Sequence, residues 1–423
     1  MLRSIVQGFL RSRSPTASLR AACSAAAAVS DGAHTNSTCS SDLGCSLNGV
    51  CRSGACACDA PWGGPACALL QILPSPVAGA GAGAGIYGVA PNVTSWGGNV
   101  VQWPQDDGRF HLFVAEIAES CGMANWKNNS FVTHAVSDAV GGPYVKADVA
   151  VPSWAHNPQV IAHGTSLFLF HIGAGDGTAA LTNCSAPRPA AGAQLQTRAP
   201  HDEQFSQIHV APGPDGPWAV LPGGGVECDN PGPLVLRNGT VLLMCSRSPG
   251  SKHKDVHARL YSAPSPRGPW HHVSEIHTVT NWSHTAEDPF LWEDARGYLH
   301  SLWHTGPLNA TGEPSGVVSV HGFSRDGIKW GWSDNQPYTA IVHFEDGSTT
   351  HHATVERPKL VLDHTGTPTH LINAATSSLW PCAGCITSWK PHRLVCNACK
   401  TTKGIDSSYT IMRALLPAGG VAS

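Results

Sequence analysis

The sequence predicts an all-β protein: a five-bladed β-propeller preceded by a small disulfide-rich module. Three observations predict it. Two short motifs recur in fixed order along most of the chain. Around them lie apolar runs of four to six residues split by Gly, Asn-Gly or Asp-Gly, the pattern of antiparallel strands. Six cysteines crowd into residues 39–67. The 423 residues leave room for a large core plus a small module, and 45 Gly and 32 Pro make the chain rich in turns. A net charge of −3 argues against a nucleic-acid binder working through a basic surface. No run of 18 apolar residues occurs, so no transmembrane helix is expected.

Residues 1–30 read as a signal or targeting peptide. They carry no Asp or Glu, and Arg3, Arg11, Arg13 and Arg20 precede a small-residue run from Ala21 to Val29. This composition fits a secretory signal and also an organelle transit peptide. Seven N-x-[ST] acceptors begin at Asn36, Asn92, Asn128, Asn183, Asn238, Asn281 and Asn309, where chance would give about two. Together with 15 cysteines they favour the secretory lumen or secretion over an organelle. Losing the leader removes Cys23 and leaves an even number of cysteines.

Residues 31–69 form the small module. Cys39, Cys45, Cys51, Cys56, Cys58 and Cys67 are followed or spanned by Asn48-Gly49 and by Trp62-Gly63-Gly64. About 30 residues cannot bury a core, so cross-links must restrain the chain. A zinc cluster fits poorly, because no His lies between Cys39 and Cys67. The single residue between Cys56 and Cys58, with the Trp-Gly turn after it, resembles an EGF-like domain. That resemblance implies the pairs Cys39–Cys51, Cys45–Cys56 and Cys58–Cys67. It also implies an extracellular protein partner or a spacer role.

Residues 70–90 read as a Gly/Ala-rich linker, with Ala-Gly alternation from Ala78 to Gly85. The propeller is expected over 91–416, with a tail at 417–423. Its first recurring unit is a polar residue, often before Pro, then an apolar run, a turn and a second apolar run. Asn99, Asn157, Asn230, Asp288 and Arg357 mark its five copies, 58, 73, 58 and 69 residues apart. The second unit is a strand, a Gly-Pro turn and an aromatic: Gly142-Pro143-Tyr144, Gly216-Pro217-Trp218 and Gly268-Pro269-Trp270, with Gly327 and Trp330 in the fourth copy. Four strands repeated five times at about 64 residues each is the signature of a five-bladed propeller. The strand Ser407–Met412 is expected in blade five, completed by a segment within 70–95.

Cysteines 382, 385, 396 and 399 form two C-x-x-C pairs in an insertion at 381–400 of blade five. Cys382, Cys385, Cys396 and Cys399 fit two disulfides in an oxidising compartment, or a zinc ribbon in a reducing one. The pairing of Cys121, Cys184, Cys228 and Cys245 is not readable from sequence. His156, His171, His284, His304, His351 and His352 lie at strand ends or loops near the expected channel, without a metal-binding spacing. No metal and no cofactor is expected.

Cys121-Gly122-Met-Ala-Asn-Trp126-Lys-Asn-Asn129-Ser130, Glu287-Asp288-Pro289-Phe-Leu-Trp292 and Glu356-Arg357-Pro358 carry a resemblance to the family 43 glycoside hydrolases, in particular divergent eukaryotic members. The resemblance implies an inverting glycosidase acting on a poly- or oligosaccharide. Such an enzyme needs one carboxylic acid to protonate the leaving oxygen and one carboxylate to activate water. In the family an Asp on the first blade is the base, a second Asp tunes the acid, and a Glu on a later blade is the acid. Glu287 is then the expected acid, with Asp288 the second choice, and Asp229 the tuning carboxylate. The first-blade position is Asn99, which cannot serve as a carboxylate base. Glu116 and Glu356 are the available replacements. Asn99, Asn157, Asn230, Glu116, Glu356, Arg357 and Trp96 are the expected sugar contacts, since amides both donate to and accept from hydroxyls. A polar residue before Pro also simply caps turns, and a propeller without the base serves equally as a glycan-binding or adhesion platform.

Overall fold

The computed structural model describes residues 39–76, 85–88, 93–104, 108–184, 205–246, 258–277, 286–305, 317–352, 354–376 and 408–418. The leader, the acceptors Asn36, Asn92, Asn281 and Asn309, His284 and the cysteines of the 381–400 insertion lie outside them.

The fold is a five-bladed β-propeller with almost no helix. Blade one runs from the centre outward through Ser95–Gln102, Phe110–Ile117, Ser130–Ser137 and Val145–Val151. Blade two is His156–His163, Ser166–Ile172, Phe205–Ala211 and Ala219–Val220. Blade three is Asp229–Val235, Val241–Ser246, Ala258–Ala263 and His271–Ile276. Blade four is Ala286–Glu293, Leu299–Thr305, Ser319–Ser324 and Trp330–Trp332. Blade five is Thr354–Leu362, Pro368–Thr376, Ser408–Ala414 and, as its outermost strand, Ile86–Tyr87. The segment read as a linker at 70–90 therefore holds a blade strand. The chain before blade one returns to close blade five, and a ring fastened this way leaves no open seam between its first and last blades.

The core is divided among the blade seams. Phe113, Val132, Val160 and Leu169 fill the seam between blades one and two. Phe168, Phe170, Ile208 and Leu243 fill the next, and Leu242, Leu260, Leu291 and Trp303 the one after it. Phe290, Leu302, Val355 and Leu371 join blades four and five. Tyr87, Val100, Leu112 and Met412 join blade five to blade one. The aromatic of the second recurring unit packs back onto the preceding blade each time. Tyr144 sits in the five–one seam, Trp218 in the one–two seam, Trp270 in the two–three seam and Trp330 in the three–four seam. Trp218 meets Phe113 edge-on at 5.3 Å and Trp270 meets Phe170 at 6.3 Å, a favoured geometry for aromatic pairs.

The small module holds Cys39–Cys51, Cys45–Cys56 and Cys58–Cys67, the pairs that the resemblance implies. Among the described residues two further disulfides, Cys121–Cys184 and Cys228–Cys245, lie in the propeller. Five disulfides fit an oxidising compartment. Among the described residues no helix is long and apolar enough to cross a membrane. The module packs against blade four, reaching its first and third strands. Trp62 stacks on Trp292 and leans on His321, while Arg296 pairs with Asp59 at 2.6 Å.

Candidate active site

Each first strand opens with a kink beside the central channel. Asn157, Asn230, Asp288 and Arg357 all take left-handed backbone, with φ between 48 and 56°. The ladder register slips beside each of them, so a bulge re-aims the side chain. The following Pro158, Pro231, Pro289 and Pro358 lack an N–H, which a bulge tolerates. Asn and Asp accept this conformation readily, and glycine more so. In blade one the residue with positive φ is Gly97, at 68°. The spacing of the motifs aligned Asn99 with this position. The backbone aligns Gly97, because blade one lacks the Pro that marks the kink in the other four. A Cβ on Gly97 would lie 2.9 Å from Cβ of Arg357. Blade one thus supplies empty space, and Arg357 fills it.

The kink residues meet at the centre. Nδ2 of Asn157 donates to Oδ1 of Asn230 and to Oδ1 of Asp288, each at 2.9 Å. Nη1 of Arg357 donates to Asp288 at 2.9 Å and lies 3.4 Å from Oδ1 of Asn230. Nδ1 of His304 lies 2.7 Å from the other oxygen of Asp288, and its Nε2 lies 3.9 Å from Glu356. Asp288 is fully buried. Burial would raise its carboxyl, but Arg357 and His304 override that and hold it well below the usual carboxylate range. Burial works against a charge on His304 too. Glu356, Asp288 and Glu287 outweigh it and push His304 up to about 9, so the ring is an imidazolium at neutral pH.

Glu287 precedes Asp288 and faces His304 across the ladder. Its side chain opens to solvent while protein surrounds it on its other sides. That poor solvation raises its carboxyl, His304 opposes the shift, and Asp288 and Glu356 add to it. Glu356 occupies the corresponding position of blade five and is partly buried. Asp229 holds that position in blade three, opposite Ser246. In blade two it is His156, which is fully buried against Trp126 and bonded through Nδ1 to Ser130 at 2.7 Å. Burial keeps His156 well below the ordinary histidine value, with the nearby Arg357 charge adding to the effect.

The remaining candidates lie elsewhere. Asn99 pairs with the backbone of Val160, donating to its carbonyl at 3.0 Å and accepting from its N–H at 2.9 Å, so its amide ties blade one to blade two. Glu116 accepts from the Tyr87 hydroxyl at 2.5 Å and from Lys146 at 2.6 Å, which fastens the closing strand to blade one. Trp96 is buried within the first strand. The sequence reading missed Lys359. This buried lysine lies two residues after Arg357 and 3.4 Å from the Pro289 carbonyl, and burial pushes it down to about 7. Its only sequence signal was a lysine directly before the apolar run Leu360–Leu362. Three donor groups stand close enough to share an ion: Asp288, His304 and Glu356 have ligand atoms within 4.8 Å of one another. In this group, however, Arg357 and the His304 imidazolium already balance the Asp288 charge.

No family model matches the sequence, and no curated protein matches it. Solved structures share its arrangement at low identity. A family 117 glycoside hydrolase from Zobellia galactanivorans is 10% identical with a TM-score of 0.44, over 82% of this chain and 90% of that one. An endo-arabinase from Bacteroides thetaiotaomicron is 12% identical with a TM-score of 0.41, over 80% and 100%. The catalytic domain of a family 62 α-L-arabinofuranosidase from Coprinopsis cinerea is 11% identical with a TM-score of 0.45, over 82% and 97%.

Proposed function

We propose that the protein is a secreted, carbohydrate-active propeller that hydrolyses a glycosidic bond in a poly- or oligosaccharide. One observation carries this reading: the carboxyl groups of two adjacent residues are pushed in opposite directions. Glu287 is raised toward the neutral acid, while Asp288 is kept ionised. Neighbouring groups pushed apart in this way divide acid from base work. Glu287 donates the proton to the leaving oxygen. Asp288 holds Asn157, Arg357 and His304 in place and does not donate, because it has no proton to give. Glu356 takes the role of the missing first-blade carboxylate and activates water, and Asp229 completes the acidic lining. Asn157, Asn230 and Arg357 offer hydrogen bonds to sugar hydroxyls, and the EGF-like module positions the propeller against an extracellular partner.

A second reading, glycan binding without hydrolysis, is favoured by Gly97, which leaves blade one with no carboxylate at the centre. The two readings separate in one experiment. The full chain, expressed through a secretory host, is offered plant and algal polysaccharides, and reducing-sugar release is followed for wild type, Glu287→Gln and Glu356→Gln. Removing a general acid or base costs about 10²–10⁴ in rate, and the product anomer read by NMR should be inverted. Release that survives both substitutions would sink the assignment. Retained binding with no release from any of the three proteins would establish the non-catalytic reading.

A further inference from the structure

We propose that His134, Asp148 and Asp215 form a divalent-cation site that staples blade one to blade two, on the outer part of the propeller away from the central ring. His134 lies in the third strand of blade one and Asp148 opposite it in the fourth. Asp215 comes from the turn between Phe205–Ala211 and Ala219–Val220 of blade two. Nδ1 of His134 is 3.2 Å from Oδ2 of Asp148 and 4.0 Å from Oδ1 of Asp215, and the three donor atoms lie within 4.8 Å of one another. Ligands about 2.0–2.1 Å from a tetrahedral zinc stand about 3.3 Å apart, so the spacing needs only small side-chain adjustments.

Three features point to a cation here. First, the imidazole is held in place before any ion arrives. It is fully buried, stacks flat on Phe113 at 5.0 Å, and has Nε2 2.8 Å from Nδ1 of His111. A metal-binding histidine typically has its second nitrogen fixed in this way. Second, two carboxylates converge on one nitrogen. Among the described residues neither aspartate is ion-paired with a lysine or arginine, and a single imidazolium would balance only one of them. Third, the aspartate side chains are 44% and 73% exposed, so an ion can reach them and water can complete the coordination. One imidazole among oxygen donors suits zinc and its neighbours better than calcium or magnesium.

The test uses the full-length chain, stripped with a chelator and titrated calorimetrically with zinc chloride alone. Wild type is compared with Asp148→Asn and Asp215→Asn, both exposed positions that leave the fold intact. The expected result is that each variant binds one equivalent fewer than wild type, or binds it at least about tenfold more weakly. Zinc should also raise the wild-type melting temperature more than that of either variant. Zinc held elsewhere on the chain would be common to all three proteins and cancels in the comparison. Equal stoichiometry and affinity in wild type and Asp215→Asn would reduce the cluster to a His134–Asp148 ion pair and overturn the proposal.

Discussion

Asp288 holds two cations in the middle of the propeller, Arg357 at 2.9 Å and the His304 imidazolium at 2.7 Å. Replacing it with Asn removes one charge and almost no volume. The backbone there is no obstacle, because Asn157 and Asn230 adopt the same positive φ. The whole cost of Asp288→Asn is therefore electrostatic. Leaving a buried charge without its partner costs about 3–5 kcal/mol, and guanidinium unfolding should show a loss of that size. A variant as stable as wild type would mean that the ring is held by packing alone. His304 adds a pH dependence whose sign is fixed. Its folded value of about 9 lies above the ordinary 6.5, so the folded state binds its proton more tightly. That contribution is complete below pH 6.5 and is lost as pH rises through 9. The stability gap between wild type and His304→Gln should narrow between those limits. A gap that widens with rising pH would show that His304 is neutral in the fold.

At the scale of elements, the Gly-Pro-aromatic unit is a fastener between neighbouring blades. Its glycine takes positive φ in Gly142, Gly216 and Gly268, and the aromatic two residues later drops into the seam behind it. Trp270→Ala should cost about 2–3 kcal/mol, below the 3–5 of a fully buried aromatic because the ring is partly exposed. Deuterium exchange should quicken in Phe168 and Phe170 of blade two as well as in blade three. Faster exchange confined to blade three would show that the ring stabilises only its own sheet. The blades were legible in the sequence because each repeats a local signal of apolar runs split by a turn, joined in four of the five by X-Pro at the central kink. The central chemistry was legible only in part. Asp288, Asn157, Asn230 and Arg357 announce themselves beside Pro, but Asn99 was misaligned because blade one has Gly97-Gly98 where the others have X-Pro. Whether an amide turns inward or pairs with the next blade, as Asn99 does with Val160, depends on a two-residue offset that apolar patterning does not encode.

For the whole molecule, stability depends on how the ring is closed. Blade five takes its outermost strand, Ile86–Tyr87, from the opposite end of the propeller sequence, and the two residues pair over a short ladder that holds little by itself. The polar contacts around it supply the rest. Tyr87 donates to Glu116 of blade one, and Ser95 donates to the Tyr87 carbonyl at 3.0 Å and lies 3.1 Å from the Thr410 hydroxyl. Gly97 donates its N–H to the same Thr410 oxygen at 3.1 Å. Glu116 is therefore a structural buckle, which is why a carboxylate at the inner end of blade one stays out of the catalytic assignment. Glu116→Ala leaves the Tyr87 hydroxyl buried without an acceptor, at a cost of about 1.5–3 kcal/mol for a bond to a charged group. Tyr87→Phe removes the donor with no unpaired group on the tyrosine side and should cost less. Both variants should speed amide exchange at residues 86–87 and along Ser408–Ala414 while leaving blade three unchanged. If the fold is instead held mainly by its five apolar seams, exchange at those positions will match wild type in both variants, and the closing strand will prove dispensable to the ring.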